Sequence, residues 1–203
     1  MPQVTALFWD VGSVLLTNAW DRAQRDRALE EFKLDEAEFH HRHEMVVSSL
    51  ERGKISFDEY LDRTIFYRAR SFTRETFKQY VFSLSQAHEE VLAFAHELAK
   101  SDKYLMATIN NESIELNLYR IQRFGLRSLF TNFFSSCFVG LRKPEQGIYQ
   151  LSLDVTQKQP QECCFIDDRA LNLECARSLG MHAIEMRDLG QLRLELQKLG
   201  VTT

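Results

Sequence analysis

The chain has 203 residues, 44% of them hydrophobic and 27% charged, with a formal net charge of −4. That is apolar material for one globular domain, or for a core with a small inserted unit, and 8 glycines with 3 prolines exclude long flexible linkers. The absence of a basic block argues against a nucleic-acid partner, which needs clustered Lys and Arg for phosphate contacts, and no apolar run approaches the roughly 20 residues of a membrane span.

Residues 4–9 read as a buried strand that stops at Asp10. Residues 19–86 carry apolar side chains at helical spacing and no strand pattern, and predict four short helices. Ser56 with Glu59, and Thr73 with Thr76, mark two helix starts of the capping-box kind. Seven phenylalanines in this block (32, 39, 57, 66, 72, 77 and 82) are expected to form its core, with one or two facing a site. The run His40-His41-Arg42-His43 sits among acids and arginines and reads as a solvated helix face rather than a metal site.

The period then changes. A helix over 88–100 leads to the strand KYLMAT, and a helix near 112–123 leads to the short strand SCFVG. A helix over 145–153 leads to ECCFID, followed by helix 169–179, the strand HAIEM and a last helix over 188–199. Strands alternating with helices predict an α/β fold, a Rossmann-like parallel-sheet core. The helical block is then an insertion after the first strand, next to where open parallel sheets place their sites. The domain boundaries drawn this way are 1–16 with 87–203 for the core and 17–86 for the insertion. Four cysteines, none in a CxxC pair, read as reduced thiols. The N-terminal stretch has no signal-peptide pattern, so a cytoplasmic protein is expected.

Each predicted strand ends in groups suited to chemistry: Asp10, then Thr108 with Ile109 and Asn110, then Lys143, then Asp167 and Asp168. Three carboxylates on one dry rim repel one another unless protons or a cation neutralise them, and an all-oxygen set suits Mg²⁺. Thr108 and the backbone after it could meet a phosphate, Lys143 could offset charge, and Asp10 could attack phosphorus. Asp21 is a candidate proton donor.

The ordered series Asp10, Thr108, Lys143–Pro144 and Asp167–Asp168 resembles the four motifs of the haloacid dehalogenase superfamily, over nearly the whole chain. The segment FIDDRALNLECARSLGMHAI is the most specific part, and GLRKPEQGIYQ resembles the third motif. The resemblance implies an inserted helical-bundle cap of the family's type one. It implies Asp10 as nucleophile and Thr108, Ile109, Asn110 and Lys143 around the phosphoryl group. It also implies Asp10, the Gly12 carbonyl, Asp167 and Asp168 around Mg²⁺, with Asp168 the more direct ligand. The first motif departs from most phosphatases of the family, because Gly12 stands where they carry a second acid. A second departure is Ile109, with Asn110 and Asn111 following. The resulting expectation is an Mg²⁺-dependent phosphatase of a small phosphorylated metabolite, monomeric or a homodimer. Two alternatives stay open: a metal-free hydrolase of the haloacid dehalogenase type, and a binding protein that has lost turnover.

Overall fold

The computed structural model describes residues 3–203. Strand β1 (Ala6–Trp9) is followed by four helices, α1 (Arg22–Glu31), α2 (Glu36–Glu51), α3 (Phe57–Thr64) and α4 (Arg74–Ser83). Then come α5 (Glu89–Lys100), β2 (Leu105–Asn110), α6 (Ile114–Arg123), β3 (Asn132–Ser135), the short α7 (Ser136–Val139) and α8 (Gln146–Thr156). The chain closes with β4 (Cys163–Asp167), α9 (Ala170–Ser178), β5 (His182–Glu185) and α10 (Leu189–Lys198).

The five strands form one parallel sheet in the order β3-β2-β1-β4-β5. Both faces are covered, which is why the strands read as apolar runs rather than alternating ones. Alternate residues feed two separate cores: Leu7, Trp9 and Cys164 join one layer, while Ala6, Phe8 and Cys163 join the other. The adjacent cysteines therefore point to opposite faces, as the strand period requires, and all four cysteines are free. No helix among the described residues is long and apolar enough to cross a membrane.

Helices α1–α4 build a third core of their own, around Phe39, Phe57, Tyr60, Leu61 and Phe77. Ser56 and Thr73 cap α3 and α4 through their side-chain oxygens, and Asp21 and Asp35 do the same for α1 and α2. The expected phenylalanine core is present. Trp20 sits in its middle, edge-on to Phe39, Phe57 and Phe77, with its indole N–H donating to Tyr60 at 3.0 Å. This bundle docks on the sheet's C-terminal rim near α7. Gly53 has φ +65° and lies so close to the Cys137 carbonyl that a Cβ would collide with backbone. Arg52 donates to the Gly140 carbonyl at 2.8 Å and pairs with Glu145.

The third strand differs from the sequence reading. The apolar run 136–140 forms the helical turn α7, closed by Gly140 at φ +72°, and the third strand lies just before it. Phe133 and Phe134 alternate between the two cores there, which is the strand signal that the more apolar SCFVG run masked.

Candidate active site

The C-terminal ends of β1, β2 and β4 converge under the helical insertion, where they line a cavity of about 690 Å³. Asp10 directly follows β1 and its backbone N–H still donates to Ile166 of β4, which fixes the carboxylate at the sheet rim. The Val11 N–H meets Asp10 Oδ1 at 2.8 Å and the Lys143 ammonium meets it at 2.9 Å. Lys143 also donates to Asp167 Oδ2 at 2.5 Å. One ammonium therefore bridges two carboxylates. Lys143 is 3% exposed and Asp167 fully buried, so neither charge can be left to water.

Burial is the largest influence on Asp10 and pushes its carboxyl up to about 7, with Lys143 acting against it and Asp167 with it. Burial alone would lower Lys143, but the paired charges of Asp10 and Asp167 outweigh it and hold the ammonium above its usual range. Asp168 is half-buried, and burial, then the neighbouring Asp167, raises its carboxyl.

Asp167 and Asp168 do different work. Both oxygens of Asp167 are engaged: Oδ1 by Arg169 N–H and Asn172, Oδ2 by Lys143 and Asn172. Asp168 carries no such load. Oxygens of Asp10, Asp167 and Asp168 all lie within 4.8 Å of one another. The donor set is all-oxygen and carboxylate-rich, which fits a hard divalent cation such as Mg²⁺.

The structure relocates the second group of expected residues. Thr108, Ile109 and Asn110 do not line the cavity, which is met instead by Asn111, Glu112 and Ser113. Strand β2 runs two residues further than the sequence reading placed it, so Thr108 lies inside the sheet beside Trp9 and Phe133 and is fully buried. Asn110, polar enough to read as loop, is still strand, held by Ser135 and Asn117 on the buried side. Asn111 takes the rim position. Its amide receives the Lys143 N–H and donates to the Lys143 carbonyl, both at 2.9 Å, and so sets the loop that carries the ammonium.

Other expectations about the lining also change. None of the seven phenylalanines faces the cavity; Trp20, Val47, Leu50 and Leu171 are the larger apolar side chains that line it. Asp21 does line it, with one carboxylate oxygen accepting from Gln24 N–H as the α1 cap and the other from Asn18. His43 is not solvated. It is 6% exposed, bonded to Tyr60 at 2.8 Å and stacked on Phe39, and burial lowers it to about 3, so it is neutral. His40 remains at the bundle surface beside Asp26.

Two charged groups of the cavity lining escaped the sequence reading. Glu51, at the end of α2 and partly buried, pairs at 2.7 Å with Arg142, which also lines the cavity, and burial raises its carboxyl. Arg120 of α6 is 3% exposed and pairs with Glu112 at 3.1 Å.

The family model for haloacid dehalogenase-like hydrolases matches residues 4–180. The chain belongs to that family. Among curated proteins, the hydrolase is 28% identical over 163 residues to flavin mononucleotide hydrolase 1 of Arabidopsis thaliana, covering 79% of this chain and 64% of that protein. It is 41% identical over 73 residues to bifunctional epoxide hydrolase 2 of Sus scrofa, covering 36% of this chain and 13% of that one. It thus spans less than two thirds of these relatives. The fold matches a HAD family enzyme from Bacteroides thetaiotaomicron solved in complex with magnesium and inorganic phosphate, with a TM-score of 0.76 and 20% identity over 93% of this chain and 98% of that one. The HAD-like hydrolase from Porphyromonas gingivalis aligns over 100% of both chains, also with a TM-score of 0.76 and 20% identity.

Proposed function

We propose that the hydrolase is an Mg²⁺-dependent phosphatase of a small phosphorylated metabolite and works through an aspartyl-phosphate on Asp10. The observation that supports this best is the cluster of Asp10, Asp167 and Asp168 around one buried ammonium. Three carboxylates beside one ammonium leave two negative charges uncompensated, which is costly in a buried site. In this reading Asp10, the Gly12 carbonyl and Asp168 hold the cation, with Asp167 kept in reserve to orient Lys143 and the loop after β4. When bound, the cation supplies charge neutralisation at the phosphoryl group.

The chain's own residues do the rest. Asp10 presents a carboxylate oxygen to phosphorus, since its two partners both sit on Oδ1. Lys143 steadies that carboxylate and draws in an anionic substrate. Asn111 and the backbone at the start of α6 meet the phosphoryl oxygens in place of Thr108, in the manner of an anion at a helix N-terminus. The helical bundle covers part of the rim, and the less water the site holds the stronger each of these interactions becomes. The relative that is a flavin mononucleotide hydrolase and the neighbour solved with magnesium and phosphate are consistent with this reading.

The test is turnover of p-nitrophenyl phosphate and of a panel of phosphorylated metabolites, with Mg²⁺ and with chelator. Turnover that needs the metal and disappears in Asp10→Asn is expected. Release of halide from 2-haloacids that survives chelator would replace the proposal with the dehalogenase reading, which a 24% match over 139 residues to (S)-2-haloacid dehalogenase 4A of Burkholderia cepacia keeps in view.

A further inference from the structure

The second acid of the first motif is missing at Gly12, and the space beside Gly12 is filled by other groups. A Cβ built on Gly12 would run into Asn18 Oδ1 and would stand 3.8 Å from a terminal nitrogen of Arg120. That same nitrogen lies 3.1 Å from Glu112 Oε2. A carboxylate therefore lies one guanidinium nitrogen away from the Cβ position of the missing acid. It comes from a different strand end. Glu112 follows β2 by two residues, lines the same cavity as Asp10 and Lys143, and has a side chain 12% exposed.

We infer that Glu112 is the catalytic proton donor and acceptor that replaces the acid absent at Gly12, with Arg120 as its positioning residue. The inference rests on the phosphatase reading above. As Asp10 forms its bond to phosphorus, the bond from phosphorus to the ester oxygen breaks and that oxygen takes the proton of the Glu112 carboxyl. In the second half, the Glu112 carboxylate removes a proton from water as the water oxygen bonds to phosphorus. The Asp10–phosphorus bond then breaks, which releases phosphate and restores both carboxyl groups to their starting state.

Two further observations agree. Burial is the largest influence on Glu112 and raises its carboxyl, with Arg120 and the Ser113 N–H opposing and Glu51 adding to the rise. The carboxyl is also tightly aimed. Glu112 Oε1 accepts from the Ser113 N–H at 2.9 Å, and the Glu112 N–H donates to Ser136 at 3.0 Å. The Arg120 guanidinium is pinned at its other nitrogens by Ser85 at 3.0 Å and the Thr17 carbonyl at 2.8 Å. Thr17 and Ser85 lie on the two segments that join the helical bundle to the sheet, so the acid's position is tied to the seating of the bundle. A buried ion pair contributes little net stability after desolvation; the pair's evident effect is to fix a carboxyl at the cavity wall.

The decisive comparison is between leaving groups, in wild type and Glu112→Gln with Mg²⁺ present. A simple alkyl phosphate needs its leaving oxygen protonated, and p-nitrophenyl phosphate does not. Glu112→Gln should lower alkyl phosphate turnover by about 10²–10⁴-fold. The first-turnover burst of p-nitrophenol should fall less than about tenfold, followed by slow steady state because the water step also lacks its base. Adding Gly12→Asp and Asn18→Ala to Glu112→Gln should return at least about tenfold of the alkyl phosphate turnover. Equal losses on both substrates, or no loss on the alkyl phosphate, would overturn the inference. If Glu112→Gln does not fold by circular dichroism, Glu112→Gln with Arg120→Met, which leaves no guanidinium unpaired, decides by the same criterion. Absence of any p-nitrophenol release by wild type would sink the phosphatase reading itself, a distinct outcome.

Discussion

The side-chain oxygen of Asn18 occupies the place that a Cβ on Gly12 would need. Asn18 is held there from two sides, by Ser13 at 2.5 Å and Asp21 at 2.9 Å. The obstacle to an acid at position 12 is space, since the Gly12 backbone is open to any residue. Gly12→Asp alone should therefore lower stability by about 1–3 kcal/mol, the usual cost of overpacking, and should not raise turnover. Gly12→Asp with Asn18→Ala should recover most of that stability. Urea denaturation and steady-state kinetics check both statements; a tenfold gain in the single variant would show that the acid is missing and its space free.

Lys143 bridges Asp10 and Asp167, and all three groups are nearly or fully buried. Removing one partner of such a cluster leaves charge stranded in a dry site, which costs about 3–5 kcal/mol. Lys143→Met should be destabilised by that amount and inactive. Adding Asp10→Asn should recover part of the stability, because Asp167 keeps its bonds from Asn172 and Arg169. Chemical denaturation of the two variants measures the recovery, and its absence would mean the ammonium's role is packing alone.

Asp10 and the Asp167–Asp168 pair were legible because a charged residue closing an apolar strand has few structural reasons to be there; Lys143 was reached by way of SCFVG, which is the helical turn α7 and not a strand. The strand ends themselves were less so. β2 extends through Ile109 to Asn110 because Ser135 and Asn117 satisfy the asparagine inside the sheet, a contact between segments that no local pattern announces. The same limit hid Glu112 and Arg120, whose meaning lies in a pairing eight residues apart in sequence and in anchors at Thr17 and Ser85. A local signal did exist: Arg120 lies on the buried face of α6 with Leu116, Asn117 and Ile121, where an unpaired guanidinium is not tolerated.

His43 makes stability depend on pH. Burial first, then the charges of Arg25 and His40, lower it to about 3, whereas an unfolded His titrates near 6.5. Between those values the unfolded chain binds a proton that the folded chain refuses. The stabilising contribution is thus complete above about pH 6.5 and is lost as pH falls toward 3. From pH 7 to pH 5 the loss from this group is about 2 kcal/mol. Asp10, Glu112 and Asp168, all raised, act in the opposite sense and are common to wild type and variant. Urea melts of wild type and His43→Asn at the two pH values isolate the histidine: the gap between the proteins should shrink at pH 5, and an unchanged gap would place a proton on His43 in the folded state.

Asp168 is the half-buried acid of the cluster, whereas Asp167 is saturated by Lys143, Asn172 and the Arg169 N–H. If Asp168 is the more direct ligand, Mg²⁺ should stabilise wild type by the binding linkage, about 2.7 kcal/mol at one hundred times the dissociation constant. Asp168→Asn should lose most of this gain while folding normally, because no buried partner depends on its charge. Asp167→Asn should behave differently: it strips Lys143 of its closest partner and should lower the melting temperature even without metal. Thermal melts with Mg²⁺ and with chelator separate the two. Equal metal-induced shifts in wild type and Asp168→Asn would remove Asp168 from the cation site and leave Asp10 and the Gly12 carbonyl as its remaining supports.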